Sequence, residues 1–314
     1  MINFRYHVVS LTAVFLALAI GLVVGTAALN GPAVDALNDQ VNGLRKQNDQ
    51  YRDQVNHLKE DANRQEDFAK QAAPILLGDK LVGRRVLVVT TSSGGKYVQP
   101  VLDMLQAAGV KVTARLEVQP KFTDPTRNED LLDVAHGARP PTVTDLPANS
   151  NGVETSTALL AAVLLDHAPS VGPDVTLSVI RAYTFGNFLI VTGDVTGPAE
   201  AVVVIAGGPD VDREAAKKNE AVVTLIEQLD KVAPIVVGID GVGGDGNAVS
   251  AIRGDPALTK TVSTVDNVST PQGWVVIGLA LAEQLEGKAG HYGIGAGASA
   301  LMPKLASDRT RNGS

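Results

Sequence analysis

The chain has 314 residues, 45% hydrophobic and only 19% charged, a composition that excludes a wholly disordered polypeptide. Its formal net charge of −7 argues against general binding to nucleic acid or to anionic lipid surfaces. Because the sequence contains no cysteine, disulfides, thiolate nucleophiles, iron–sulfur clusters and thiolate metal sites are excluded as well.

An uncharged, almost entirely apolar run opens the chain, over residues 8–29. In a helix, the 22 residues of this run span roughly 33 Å, which matches the ~30 Å hydrocarbon core of a bilayer. Arg5 precedes the run, and the first charges after it are acidic, at Asp35 and Asp39. The positive-inside rule therefore predicts a cytoplasmic N-terminus and export of the rest of the chain.

Residues 1–30 are accordingly predicted to be a transmembrane anchor. A cleaved signal peptide is the alternative, because Gly25, Thr26 and Ala27 offer small residues at a spacing suited to a signal peptidase. The apolar region of a signal peptide is usually about 7–15 residues long, and the run here is longer. The length favours an anchor that is retained.

A polar segment with a regular apolar repeat follows, over residues 31–73. Apolar residues recur at alternating spacings of three and four, as in a coiled coil with Val34 at heptad position a. β-Branched residues at a with leucine at d favour a parallel two-stranded coil, and Asn48 at an a position fixes its register. An amphipathic helix packed on its own globular domain is the alternative, but the charged positions leave only a narrow apolar seam. The predicted homodimer interface consists of Val34, Leu37, Val41, Leu44, Asn48, Tyr51, Val55 and Leu58.

Residues 74–302 are predicted to form an extracytoplasmic α/β domain. It begins with strand 84–91, helix 97–108, a helix-ending glycine at Gly109 and strand 110–118, which together make a βαβ unit. Alternating apolar strands and helices imply a mostly parallel sheet covered by helices. The further predicted strands are 188–191, 201–206, 234–239 and 262–265, and the further predicted helices are 128–135, 153–167, 213–232, 247–253 and 274–286.

The remaining segments carry weaker patterns. Residues 120–128 are predicted to be a break, 137–152 an irregular loop with several prolines, and 175–187 a segment of mixed character. Residues 303–314 are predicted to be a loose C-terminal tail.

A short polar turn, Ser92, Ser93, Gly94 and Gly95, follows the first predicted strand of the domain. Open α/β sheets commonly bind ligands at the carboxyl ends of their strands, so this turn is the candidate ligand edge. Lys96 comes next, but no lysine-threonine pair completes a phosphate-binding loop.

Gly241, Gly243 and Gly246 match G-x-G-x-x-G directly after a predicted strand. In a dinucleotide site such glycines let the backbone approach a pyrophosphate. Here the predicted helix is short, and Asp245 would put a negative charge where the phosphate would lie. A tight turn between strand and helix is therefore the better interpretation.

The five histidines do not form any of the close spacings that are typical of metal sites, and G-x-S-x-G is absent. Only His291, in the sequence GHYG, has an unusual local setting. We therefore predict no catalytic residue, no metal ligand and no cofactor, and we expect a protein that is not an enzyme.

Four segments of the sequence together resemble the actinobacterial MctB family. They are the opening FRYHVVSLTAVFLALAIGLVVG at 4–25, the heptad stalk, STVDN at 263–267 and GHYGIG at 290–295. The resemblance implies copper transport, because mycobacterial members are described as outer-membrane channels that limit copper accumulation. Corynebacterial relatives called SteB are instead linked to cell separation, together with a membrane partner, SteA, that influences a septal peptidoglycan hydrolase.

The residues fit these implied roles unequally. Copper(I) prefers thiolate and thioether ligands, whereas the chain lacks cysteine and its methionines, Met1, Met104 and Met302, are far apart in sequence. The predicted strands are short and continuously apolar, unlike the roughly ten-residue alternating strands of a membrane barrel. We therefore expect a membrane-anchored, dimeric scaffold of the copper-homeostasis family that binds another membrane or envelope protein. A SteB-like regulator with a SteA-like partner and a copper-conducting channel, in which His291 or Met104 would matter, are the alternatives.

Overall fold

A computed structural model describes residues 4–29, 31–166, 171–209, 212–241 and 247–304. The chain forms two compact units, one that ends at Arg64 and one that begins at Gln65. The first unit consists of helix in its described part, and the second contains the β-sheet.

The first helix, α1 (Phe4–Leu29), is apolar throughout and has no acidic residue in its first turn and no basic residue in its last. It is long and apolar enough to cross a membrane, the one such helix in the described ranges. The hydroxyls of Thr12 and Thr26 donate to carbonyl oxygens of the preceding turn, at 2.7 and 2.9 Å, so they need no water. The predicted apolar N-terminal helix is confirmed.

The second helix, α2 (Pro32–Leu77), contains all of the predicted stalk segment except Gly31. Proline at the first helical position suits the start, because its missing N–H would have no partner there. The helix continues past residue 73, the predicted end of the stalk, and includes Pro74 before it ends. Its last turns bury Ala69, Ala73 and Leu77 in a hydrophobic cluster of the second unit, so they belong to the α/β domain.

The sheet has seven strands in the order β3-β2-β1-β4-β5-β6-β7. All neighbouring strands are parallel except β2 and β3, which are antiparallel. The predicted mostly parallel sheet is thereby confirmed. The strands are β1 (Arg85–Thr91), β2 (Lys111–Val118), β3 (Leu189–Thr192), β4 (Ala201–Ala206), β5 (Ile235–Ile239), β6 (Val262–Val265) and β7 (His291–Tyr292).

Helices cover both faces of this sheet, and side chains alternate between the two sides along each strand. In β1, Val86 and Val88 join one hydrophobic cluster, while Leu87 and Val89 join the other. A strand buried on both faces needs no polar residues, which explains the continuous apolar runs. The helices are α3 (Gly95–Ala107), α4 (Pro120–Thr123), α5 (Asn128–Ala138), α6 (Gly152–Leu164), α7 (Pro173–Phe185), α8 (Ala215–Asp230), α9 (Ala248–Gly254) and α10 (Pro271–Leu285).

Two predicted segments differ from the structure. The break at 120–128 contains α4 and a short 3₁₀ turn, Pro125–Arg127, and the mixed segment at 175–187 is largely helix α7. In contrast, Gly109 has φ of +82°, as the predicted helix end requires. Of the predicted tail, residues 305–314 lie outside the described residues.

Candidate functional site

The candidate ligand edge lies where the order of the sheet reverses. From β1 the chain goes to β2 and β3 on one side, and then returns to β4 on the other side of β1. Connections that leave adjacent strands in opposite directions open a crevice at their carboxyl ends, the usual ligand position in such sheets. Ser92–Gly94 form a 3₁₀ turn at this point, and Gly95 begins α3.

Two glycines bring the loops after β1 and β4 into close contact. A methyl group on Gly94 would lie 2.3 Å from the carbonyl oxygen of Ile205, and one on Gly207 would lie 2.4 Å from the backbone of Ser93. Neither position can therefore hold a larger residue without moving the backbone. Gly94 was a predicted site residue, whereas Gly207 was missed because its neighbour is 114 positions away in the sequence.

Hydroxyl groups stabilise the contact between the loops after β1 and β4, at Ser92–Gly95 and Gly207, which we call the crossover. The N–H of Gly207 donates to Thr91 Oγ1 at 3.2 Å, and the hydroxyls of Thr91 and Ser93 are also 3.2 Å apart. The hydroxyl of Ser92 donates to the carbonyl of Val118, at the end of β2, at 3.1 Å. The polar residues of the predicted edge thus tie three strand ends to one another.

The crossover encloses a cavity of about 90 Å³, which Ser92 and Ser93 line and Gly94 and Gly95 do not. The lining also includes Lys218, whose ammonium group pairs with Asp212, and Asn247, which caps α9 by accepting from the N–H of Ser250 at 2.7 Å. Pockets for small organic ligands usually measure about 300–1,000 Å³. The crossover cavity is too small for a dinucleotide.

Lys96 lies beside the crossover, in contact with Tyr97. Its ammonium group lies 4.6 Å from the centre of the Tyr97 ring, and the Tyr97 hydroxyl donates to Asp240 at the end of β5. Burial and the neighbouring Asp240 raise the pKa of Tyr97. Lys96 therefore contacts its neighbour Tyr97 on α3 and does not line the crossover cavity.

Of the three predicted G-x-G-x-x-G glycines, only Gly241 lies within the described residues; Gly243 and Gly246 lie outside them. Gly241 follows β5 with φ of +100°, a conformation that favours glycine in a tight turn. The next helix, α9, has only seven residues. These features agree with the interpretation of a turn.

The two C-terminal segments that carry the family resemblance form one buried unit. Asp266 is fully buried and accepts hydrogen bonds from the N–H groups of Ile294 and Gly295, both at 2.9 Å. Gly293 has φ of +126°, and a methyl group on it would lie 2.0 Å from Asp266 Oδ1. The aspartate of STVDN therefore fixes the glycine turn of GHYGIG.

Arg253 on α9 completes this unit. Its side chain is 4% exposed and donates to Asp266 at 2.7 Å, to Thr264 Oγ1 at 2.9 Å, and to the carbonyls of Tyr292 at 2.9 Å and Ala296 at 3.0 Å. A buried carboxylate requires such a partner, because desolvation penalises an isolated charge. The sequence analysis missed Arg253, since nothing local marks it as the partner.

Both ring nitrogens of His291 have hydrogen-bond partners. The carbonyl of Thr259 can only accept, so His291 Nε2 donates to it, at 3.1 Å; Nδ1 of the neutral ring then accepts from the Thr264 hydroxyl, at 2.8 Å. Burial and nearby Arg253 lower the pKa of His291, although the Thr259 hydrogen bond opposes this. In this arrangement the imidazole is neutral, and the lone pair of Nδ1 already accepts a hydrogen bond from Thr264.

The residues considered for copper do not come together in the structure. Met104 is 2% exposed within the hydrophobic core, and His291 is fixed by Thr264 and Thr259. Within the described ranges, no group of three or more histidine, aspartate or glutamate residues is arranged to hold a metal ion.

Replacing His291 by glutamine should reduce the dependence of stability on pH. Glutamine can still donate to the Thr259 carbonyl but is not protonated in this range. Since the folded pKa of His291 lies below its unfolded value of about 6.5, the unfolded state binds more protons, and stability falls as the pH drops through that region. We expect the melting temperature of the wild-type chain to fall further between about pH 7.5 and about pH 5.5 than that of His291→Gln. The exposed His57→Gln serves as the control and should follow the wild type; parallel curves for all three proteins would contradict the assignment.

The fold and these contacts define an α/β protein with an apolar N-terminal helix and a mostly parallel sheet. The sequence model of the family described as "Copper transport outer membrane protein, MctB" matches residues 1–303, so the chain belongs to the MctB family. Proteins named "Copper transporter MctB" from Mycobacterium tuberculosis and Mycobacterium leprae are 29% and 30% identical to it. Each alignment covers 96% of this chain and 99% of the relative. The predicted family is confirmed.

Proposed function

We propose that this chain is a single-pass membrane protein of copper homeostasis that presents a dimeric α/β domain outside the cytoplasm. It acts without catalysis, by binding another membrane or envelope protein. The match to the MctB family over residues 1–303, and the name of its relatives, carry the assignment to copper homeostasis. The apolar helix α1 supports the membrane anchor.

Charge at the two ends of α1 supports an N-terminus in the cytoplasm. Arg5 lies at the amino end, while Asp35 and Asp39 are the first charges beyond the helix. Basic residues are retained on the cytoplasmic side during insertion. The domain that follows α2 is then outside the cytoplasm.

The apolar seam of α2 supports a dimer. In a single copy, Leu37, Leu44, Tyr51 and Leu58 are each about three-fifths exposed or more. Regularly spaced exposed leucines on a long helix are typical of a surface that a second helix covers. Two copies anchored in one membrane with the same topology have parallel stalks, as the residues at a and d favour.

A scaffold agrees with the architecture better than a channel does. One apolar helix per chain cannot line a wide pore unless many copies assemble. The strands of the sheet are covered by helices on both faces, so they offer no surface to lipid. In this proposal other proteins transport the copper, and this chain acts by binding to one of them.

Single cysteines should locate the seam, because the native chain contains no cysteine. Leu44→Cys, at position d, is expected to form a disulfide-linked dimer under mild oxidation in membranes. Lys46→Cys, two residues away at position f, faces away from the seam and should form little. Non-reducing electrophoresis measures both. Equal crosslinking, or none at either position, would contradict the predicted heptad register.

The same positions provide a functional test in a host that lacks its own family member. Leu44→Asp should leave intracellular copper as high as in the host without the gene, because it places like charges in the seam. Lys46→Asp should restore normal copper content, since position f is solvated. Normal copper content with Leu44→Asp would show that dimerisation is not needed. Purified wild-type chain in liposomes should pass copper no faster than empty liposomes; faster flux would favour the channel.

A further inference from the structure

A second and much larger cavity lies away from the crossover, between α6, α8 and the irregular loop at 139–151. Its volume is about 590 Å³, within the ~300–1,000 Å³ range of small-molecule sites. Val143 and Leu146 from the loop, Ala158 and Ala162 from α6, and Val232 just after α8 form its apolar walls. The cavity therefore has the size and the lining of a ligand-binding groove.

Two alanines leave this space open. Glu154, Ala158 and Ala162 are four residues apart and so form one stripe along α6. A leucine at either alanine would extend into the groove. The loop above is anchored, because Val143 is buried in the core and its N–H donates to the carbonyl of Pro140 at 3.0 Å. The groove is thus a built feature of helices α6 and α8.

A carboxylate held by two amides lies in the lining. Gln228, only 5% exposed, donates from Nε2 to Glu154 Oε1 at 3.4 Å, and Asn149 Nδ2 donates to Glu154 Oε2 at 2.6 Å. A carboxylate oxygen accepts two hydrogen bonds, so each oxygen of Glu154 keeps capacity for one more. The amides fix the orientation of the Glu154 carboxylate and leave it able to accept further hydrogen bonds.

The charges around the groove are mainly negative. Asp145 and Glu154 line it, and Glu227, next to Gln228 on α8, interacts electrostatically with Glu154. Burial raises the pKa of Glu227, as expected where negative charge is poorly solvated. Lys231 is the one basic residue among the described lining residues; it is exposed, as is Asp145, whereas Glu154 is half-buried. This surrounding potential favours a cation over an anion.

We propose that this groove binds a small organic ammonium ion with an apolar body. The ammonium group donates to the Glu154 carboxylate, beside Gln228, and the apolar body packs on Ala158, Ala162 and Val232. Charge and shape both select the ligand, because the Glu154 carboxylate is at one end of the stripe that continues with Ala158 and Ala162. This site is independent of the stalk and of the crossover cavity.

Three probes with the same five-carbon body test the selectivity: 3-methylbutylammonium, 3-methylbutanol and 3-methylbutanoate. Binding to the full-length chain in nanodiscs is measured by saturation-transfer NMR. We expect the ammonium probe to bind about tenfold or more tightly than the other two, since one charge-assisted contact of about 1.4 kcal/mol gives that ratio. Equal binding of all three probes, or no binding of any at about 10 mM, would overturn the proposal.

Matched variants locate the site. Glu154→Gln should remove the preference for the ammonium probe and leave binding of the alcohol unchanged, whereas Glu129→Gln, also in the first turn of a helix, should bind as the wild type does. Ala158→Leu should abolish binding of the ammonium probe, while the exposed Ala216→Leu on α8 should retain it. Full binding by Ala158→Leu would place the ligand elsewhere. The fluorescence of the single tryptophan, Trp274, reports whether each variant is folded. The comparison of the three probes uses the wild-type chain alone, so it tests the proposal even if a variant fails to fold.

Discussion

Replacing Asp266 by asparagine is expected to lower the free energy of unfolding by about 3–5 kcal/mol, because it leaves the Arg253 guanidinium buried without its counter-charge. The asparagine also presents an N–H₂ group where the carboxylate accepts from the N–H groups of Ile294 and Gly295. The measurement is denaturant unfolding of the full-length chain, followed through the fluorescence of Trp274. That tryptophan is 7% exposed, and its indole N–H donates to the carbonyl of Val268, so unfolding changes its surroundings.

A surface pair provides the control for Asp266. Asp130 pairs with Arg127 at 3.2 Å, but both side chains are about half exposed, so Asp130→Asn should cost less than about 1 kcal/mol. The double variant Arg253→Met with Asp266→Asn should recover part of the loss, because no unpaired charge then remains buried. A single Asp266→Asn variant as stable as Asp130→Asn would show that the ion pair does not hold the C-terminal turn.

Replacing Gly94 by alanine is expected to destabilise the domain by about 1–3 kcal/mol or more, because the added methyl would overlap the backbone of Ile205 in β4. The neighbouring Gly95 is a matched control. It has helical φ of −52° and ψ of −35°, and a methyl group there meets nothing within 4 Å. Gly95→Ala should therefore leave stability unchanged or raise it by up to about 1 kcal/mol.

The two substitutions are expected to change the stability differently, and this difference separates the effect of packing from that of backbone conformational preference. Both positions are in the right-handed region of backbone conformation, so alanine is acceptable at each on local grounds. They differ in that the backbone of β4 lies close to Gly94 and not to Gly95. If Gly94→Ala is as stable as Gly95→Ala by unfolding of the full-length chain, the two loops at the crossover are further apart than described here.

Local signals in the sequence predicted most strands and helices of the domain well. Runs such as AVVVIA gave β4 with its observed bounds, and Gly109 marked the end of α3. α10 was predicted to begin at residue 274, three residues late, although Thr270 caps it by accepting from the N–H of Gly273 and Pro271 opens it. This threonine-proline signal was present and was overlooked.

Features that depend on distant residues could not be predicted. β7 has two residues and pairs with β6, and β3 pairs antiparallel with the outer edge of β2. Arg253 and Asp266 meet through the packing of α9 beside β6, which no local pattern announces. The Ser92–Gly95 turn lies at the crossover, where a general rule of α/β sheets puts ligands, but its contact with Gly207 joins residues that are far apart in sequence.

The burial of the end of α2 determines where a soluble fragment of this protein can begin. Leu77 packs on Gly278 of α10, where a methyl group would lie 3.0 Å from the leucine side chain, and Ala69 and Ala73 are also part of the core. A fragment cut at Lys80 lacks Leu77 and leaves the face of α10 around Gly278 exposed, which favours aggregation. A fragment that starts at Gln65 keeps Ala69, Ala73 and Leu77 packed in the core, and so suits crystallisation and titrations without detergent.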